Sequence, residues 1–150
     1  MAKRKIITDK DPTLRQTSPV ERVTPRIQQL LDDMLETMRA ADGVGLAAPQ
    51  VGVLRRLVVI EVEEDHPIFL INPEIIYEAG EQEGPEGCLS IPGRSGIVRR
   101  PMKVTVRATG RDGKAFEMTG EGLLARAFCH EIDHLDGKLY TDIAISMEDK

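Results

Sequence analysis

The chain has no tryptophan, and with two tyrosines and three phenylalanines its aromatic content is 3% of 150 residues. That leaves little surface on which nucleic-acid bases could stack. Basic charge is also in deficit: 20 Lys and Arg face 25 Asp and Glu, a formal net charge of −5 at pH 7. Proteins that grip a phosphate backbone carry a basic face, so direct nucleic-acid binding is excluded as the main role. No apolar run nears the length of about 18 residues that crosses a bilayer, which argues against a membrane partner. The basic start Met1-Ala-Lys-Arg-Lys5 lacks the apolar stretch of a secretory signal. Two cysteines are too few for a disulfide framework, and without an export signal they point to a reducing cytoplasm. What is present is 41% hydrophobic and 30% charged, an ordinary globular balance whose length fits one domain, residues 1–150. A small acidic enzyme or binding module is what these absences leave.

Asp11-Pro12 and Ser18-Pro19 predict extended or turn-rich chain over residues 9–18. Thr24 then suits a helix N-cap and Pro25 the first helical position. Ile27, Leu30, Leu31, Met34, Leu35 and Met38 follow at three- and four-residue spacing, the stripe of an amphipathic helix. Gly43 stands where a left-handed residue commonly stops such a helix. The period then changes. Leu57–Val62 and Ile68–Ile71 are short β-branched runs and predict buried strands. Lys103–Arg107 and Ala115–Met118 predict a hairpin turning at Asp112-Gly113. A last helix is expected from about Gly120 to Leu135, with Leu123, Leu124, Ala127 and Phe128 apolar. The short tail after Gly137 carries no clear pattern. The class expected is α+β: mostly antiparallel strands packed around a C-terminal helix, with an N-terminal amphipathic helix.

His130-Glu131-Ile132-Asp133-His134 gives that last helix its chemistry. Residues four apart are offset by about 40° around a helix, so both imidazoles leave one face and can share a divalent metal. Glu131 lies about 100° round from His130, beside such an ion and free to act as a general base. A catalytic site of this kind needs a third protein ligand and an open fourth position. A downstream Glu or His at zincin spacing is missing, because Leu135-Asp136-Gly137 follows directly. His66, in a polar turn before Pro67, reads as a solvated loop residue. Cys88 or Cys129 is left as the soft ligand. Cys129 points about 100° away from His130 and reads better as a small core residue. Cys88 sits in Glu86-Gly-Cys-Leu-Ser-Ile-Pro92, where glycine lets backbone approach closely. Sulfur favours iron, zinc or cobalt over calcium or magnesium, without choosing among the three.

Gly43-Val-Gly-Leu-Ala-Ala-Pro-Gln-Val-Gly52, Glu86-Gly-Cys-Leu-Ser90 and His130-Glu-Ile-Asp-His134 together resemble, in order, the three signature motifs of peptide deformylase. Asp11-Pro12, Ile71-Asn-Pro73 and the leucine-rich opening of the last helix resemble it too, so the likeness runs from about Ile6 to Asp142. The resemblance implies a metal-dependent hydrolase that removes the N-formyl group from the N-terminal methionine of newly made polypeptides. By the same resemblance Cys88, His130 and His134 are metal ligands and Glu131 is the acid and base. Gln50 and the Leu89 backbone N–H would hold the formyl oxygen, and Val44, Gly45, Glu86, Gly87, Leu123, Arg126 and Ala127 would line the substrate pocket. Ferrous iron is the implied native metal, with zinc, cobalt or nickel able to replace it. The implied partners are N-formyl-methionyl nascent peptides, met by a cytoplasmic, bacterial-type monomer with transient ribosome contact. The chain ends soon after Gly137 without the further C-terminal helix of many members, so no ribosome contact through such a helix is expected. Two other readings share these residues: an H-E-x-x-H metallopeptidase cutting internal bonds, and a non-catalytic metal- or peptide-binding relative.

Three positions carry expectations of their own. Arg126 falls one turn before His130, where relatives tend to be apolar; it is expected to snorkel to solvent, or else to rim the pocket mouth and favour acidic peptides. Arg94 is expected to meet the substrate chain. Asp133 is expected to pair with a base or a backbone N–H beside the metal ligands.

Overall fold

The structure, a computed structural model, describes residues 3–8 and 17–149. The turn expected at Asp11-Pro12 lies outside the described residues. Helix α1 spans Pro25–Ala40, and the Thr24 hydroxyl accepts from the Ile27 N–H at 3.2 Å as an N-cap should. Its left-handed stop falls on Asp42, at φ 57°, and not on Gly43. Gly43 is needed for closeness: a Cβ there would lie 2.8 Å from Leu89 Cδ1.

A five-stranded antiparallel sheet runs in the order β1 (Gly45–Ala47), β2 (Leu57–Ile60), β3 (Ile68–Ala79), β6 (Lys103–Thr109) and β7 (Ala115–Glu121). A second, three-stranded sheet joins β4 (Gln82–Cys88), β5 (Ile91–Arg100) and β8 (Ser146–Asp149). Helix α2, Leu123–Leu135, follows β7.

Strand β2 explains the layering. Its four residues are apolar throughout, and successive side chains leave opposite faces. Val58 and Ile60 pack with Leu70, Val104 and Val106 under Phe128 and Ile132 of α2. Leu57 and Val59 pack with Leu46 and Ile71 against Leu31, Met34 and Met38 of α1. A helix on each face is why the run shows no polar alternation. A third apolar cluster, Ile91, Val98, Leu139 and Tyr140, belongs to the smaller sheet and the tail.

The expected α+β class is the one observed. Several details differ, among them β3, which runs on to Ala79 past the expected Ile71. Strand β7 carries the chain to Glu121, and Gly122, at φ 60°, turns it into α2 at Leu123, so the helix begins later than Gly120. Strands β4 and β5 are polar, and the apolar pattern did not announce them. The tail after Gly137 forms a short 3₁₀ turn, Tyr140–Asp142, and then β8 on the edge of β5.

Candidate metal centre

Helix α2 places His130 and His134 on one face, their ring centroids 5.0 Å apart. Strand β4 ends at Cys88, where a register shift lets it pair with Ile91 and double back into β5. That bend brings Cys88 Sγ to 3.3 Å from His134 Nε2. One ligand atom from each of Cys88, His130 and His134 lies within 4.8 Å of the others. Of the two cysteines, Cys88 is the one brought to both histidines. Cys129 is buried in the core, and burial pushes its thiol up to about 12. His66 is exposed, its Nδ1 2.9 Å from the Glu64 carbonyl oxygen.

A thiolate with two imidazoles suits iron, zinc or cobalt. The electrostatics of the site fit a cation too. Burial presses His130 towards neutrality, yet Glu131, Cys88 and Glu86 around it win and raise its pKa to about 10. The pocket therefore favours positive charge where the two rings meet the sulfur.

Glu131 is buried, and burial drives its carboxyl up to about 7, against the pull of His130. Its Oε1 has no hydrogen-bond partner among the described residues. Gly45 makes room for it: a Cβ at Gly45 would stand 2.4 Å from Glu131 Oε2. Gln50, 1% exposed, sits in the short 3₁₀ turn Ala48–Val51 after β1. Its Oε1 accepts from the Ala47 N–H at 2.9 Å, while Nε2 donates to Ser90 Oγ at 3.1 Å and lies 3.5 Å from Cys88 Sγ. With its oxygen pinned by the backbone, the amide presents its N–H side to the sulfur.

Glu86 lines the pocket as expected and is also held by charged partners. Its carboxylate is 3% exposed and accepts from Arg100 Nε and Nη2, both at 2.9 Å, and from Arg126 Nη1 at 2.6 Å. It also lies 2.9 Å from His130 Nδ1, an arrangement that fixes the ring and leaves Nε2 for a metal. Burial opposes this charge, but Arg100 and His130 prevail and hold the carboxyl at about 2. Arg100 Nη1 continues to Asp133 Oδ2 at 2.6 Å, the pairing with a base that Asp133 was expected to make. Arg126 is a correction: it is 8% exposed and does not snorkel. Its guanidinium turns inward because Glu86 and the carbonyls of Gly84 and Val98 await it, at 2.6, 3.3 and 3.2 Å. Arg100 drew no attention in the sequence, since nothing marks an arginine in a polar run as buried.

A cavity of about 440 Å³ opens beside these groups. Every expected site residue except His134 lines it, and so do Ile91, Pro92 and Arg94. Val44 and Leu123 stand half-exposed at its mouth. Arg94 pairs with Asp149 at 3.1 Å and is itself exposed.

The profile of the polypeptide deformylase family matches residues 3–150. A peptide deformylase of Lachnoclostridium phytofermentans is 65% identical over 145 residues, covering 95% of this chain and 89% of its own. The crystal structure of a peptide deformylase from Legionella pneumophila superposes with a TM-score of 0.92 at 51% identity, over 95% of this chain and 86% of that one. Another, from Synechococcus elongatus in complex with actinonin, gives 0.90 at 42% identity, over 96% of this chain and 84% of that one.

Proposed function

The chain belongs to the peptide deformylase family, and on that premise we propose that it hydrolyses the N-formyl group from the N-terminal methionine of newly made polypeptides, releasing formate. One observation carries the reading: the ligand atoms of Cys88, His130 and His134 converge within 4.8 Å, with the Glu131 carboxylate buried beside them. Cys88 Sγ and the Nε2 atoms of His130 and His134 would hold one divalent ion, ferrous iron natively, with zinc, cobalt or nickel as substitutes. When bound, the ion supplies Lewis acidity that brings water towards ionisation near neutral pH and polarises a carbonyl.

The remaining work falls to side chains. Glu131 takes the proton of the attacking water on its carboxylate and delivers it to the departing amine nitrogen. Burial raises its pKa in the metal-free pocket, and a cation bound beside it would draw it back down. Gln50 Nε2, held by the Ala47 N–H on its oxygen, donates to the developing oxyanion together with the Leu89 N–H. The cavity accepts the methionine side chain between Val44, Gly45, Gly87, Leu123 and Ala127. Arg94, at its rim, meets the peptide beyond. The whole chain acts as one catalytic domain, a cytoplasmic monomer in transient contact with the ribosome. No helix among the described residues is long and apolar enough to cross a membrane.

Anaerobically purified protein, loaded with iron or zinc, is given a formyl-methionyl peptide and formate is assayed. Release of formate is expected, and Glu131→Ala is expected to keep its metal while losing about 10²–10⁴-fold in rate. Cleavage of casein without formate release would make the protein an internal metallopeptidase. Metal binding with neither activity would make it a binding protein.

A further inference from the structure

The two parts of the metal centre pack mainly against different apolar clusters, although Leu89, next to Cys88, reaches the cluster under α1. Helix α2, with His130 and His134, buries its apolar face in a cluster drawn from β1, β2, β3, β6 and the helix itself. No residue of β4 or β5 enters that cluster. Cys88 packs instead on Ile91, Val98, Leu139 and Tyr140. The Tyr140 ring does stack on His130, at 5.9 Å, but apolar and ring contacts are weakly directional and set no register between helix and hairpin.

Directional ties cross the seam at several places: His130 Nδ1 lies 2.9 Å from Glu86 Oε1 of β4, Gln82 of β4 donates to the Gly122 carbonyl before α2 at 2.7 Å, and two arginines add longer reaches. Towards the end of α2, Asp133 receives Arg100 from β5. One turn before His130, Arg126 reaches the opposite way, from helix to hairpin. Its Nη1 donates to Glu86 Oε2 on β4, and lies 3.3 Å from the Gly84 carbonyl of β4 and 3.2 Å from the Val98 carbonyl of β5. Glu86 stands two residues before Cys88, so whatever fixes the one fixes the approach of the other. Gly84 is shaped for this contact: a Cβ there would meet Arg126 Nη2 at 3.1 Å.

We propose that Arg126 is a positioning residue: its planar fork sets helix α2 against the β4–β5 hairpin, and so sets the separation of Cys88 Sγ from the two imidazoles. This rests on the ligand set proposed above. Glu86 does not depend on Arg126 for a partner, since Arg100 grips both its oxygens. Losing Arg126 therefore leaves the carboxylate satisfied and takes away the one tie that binds helix to hairpin through a three-partner fork, while Arg100–Asp133 and His130–Glu86 remain. Charge alone predicts the opposite outcome. Two guanidiniums balance two carboxylates in this network, and removing one cation would make the site more attractive to a divalent ion.

Metal-free protein is titrated with cobalt against a competing chelator, and the thiolate-to-cobalt charge-transfer band is followed. Arg126→Met is expected to bind cobalt about 10–100-fold more weakly than wild type, with a diminished sulfur band. Arg126→Lys keeps the charge but not the fork, and is expected to lose several-fold. Wild-type or tighter affinity in Arg126→Met overturns the proposal, as does an effect confined to KM for the formyl peptide, which would make Arg126 a pocket wall. If Arg126→Met does not fold, undiminished affinity in Arg126→Lys overturns it equally. A wild-type protein that binds cobalt with no sulfur band would sink the ligand set itself, and this proposal with it.

Discussion

Alanine at Gly45 is the sharpest probe of how Glu131 is held. Gly45 lies in strand β1 and is not among the glycines with positive φ, so the backbone takes a side chain there without strain. The obstacle is Glu131. The new Cβ would stand 2.4 Å from Oε2 and 2.9 Å from both Cδ and Cγ, whereas real Cβ atoms keep at least 3.0 Å. The carboxylate must withdraw by about 0.6 Å or more, in a site already buried. Misplacing a reacting group by about 1 Å costs on the order of 10²-fold, so kcat for formate release should fall about 10–100-fold. Overpacking adds about 1–3 kcal/mol of lost stability. Cobalt affinity should hold within a few-fold, because the three proposed ligands are untouched. Shortening the acid separates steric displacement from general damage. Glu131→Asp alone should impair turnover, and the same change in the Gly45→Ala background should cost less, since the shorter side chain clears the methyl. Wild-type kcat in Gly45→Ala would refute the idea that Gly45 exists to seat the carboxylate.

Gln50→Leu removes the proposed oxyanion donor, and kcat should drop about 10²–10³-fold with KM nearly unchanged, read by formate release. Acid unfolding reports on Glu86 in metal-free protein. Its folded pKa of about 2 lies below the ordinary 4.5, so its contribution is complete above pH 4.5 and is lost as pH falls towards 2. That contribution is on the order of 3 kcal/mol, and denaturant titrations over this window should show Glu86→Gln with a flatter pH dependence than wild type.

Much of the fold was legible because its elements obey simple periods. Leu30, Leu31, Met34 and Met38 mark α1 since one face alone is buried, and Thr24 with Pro25 marks its start. The β6–β7 hairpin announced itself through Asp112-Gly113, with Gly113 at φ 82°. Strands β4 and β5 were silent for a physical reason. Their residues alternate between a small core and a solvent face, and the buried positions include Glu86 and Arg100, which pair with each other and with Arg126, His130 and Asp133 far along the chain. Burial of a charge depends on a counter-charge that spacing does not reveal. Arg126 is the same case: its neighbours in sequence are apolar, and only the fold brings Glu86 to it. Gly43 misled in another way, as its glycine serves the nearness of Leu89 while Asp42 takes the turn. The chemistry of the site was plainer, because two histidines on one helical face need no tertiary information to be paired.

Strand β2, enclosed by a helix on either side, and the ionic joint between α2 and the β4–β5 hairpin mark the two ends of a scale of local opening. Amides of Leu57 to Ile60 have water on neither face and should exchange their hydrogens only when the whole protein unfolds. Among the described residues α2 and that hairpin share no apolar cluster, so partial excursions are expected to begin there. Were Cys88 to part from the imidazoles in such an excursion while both helices stayed docked, the protein would lose the proposed metal grip before it lost its shape.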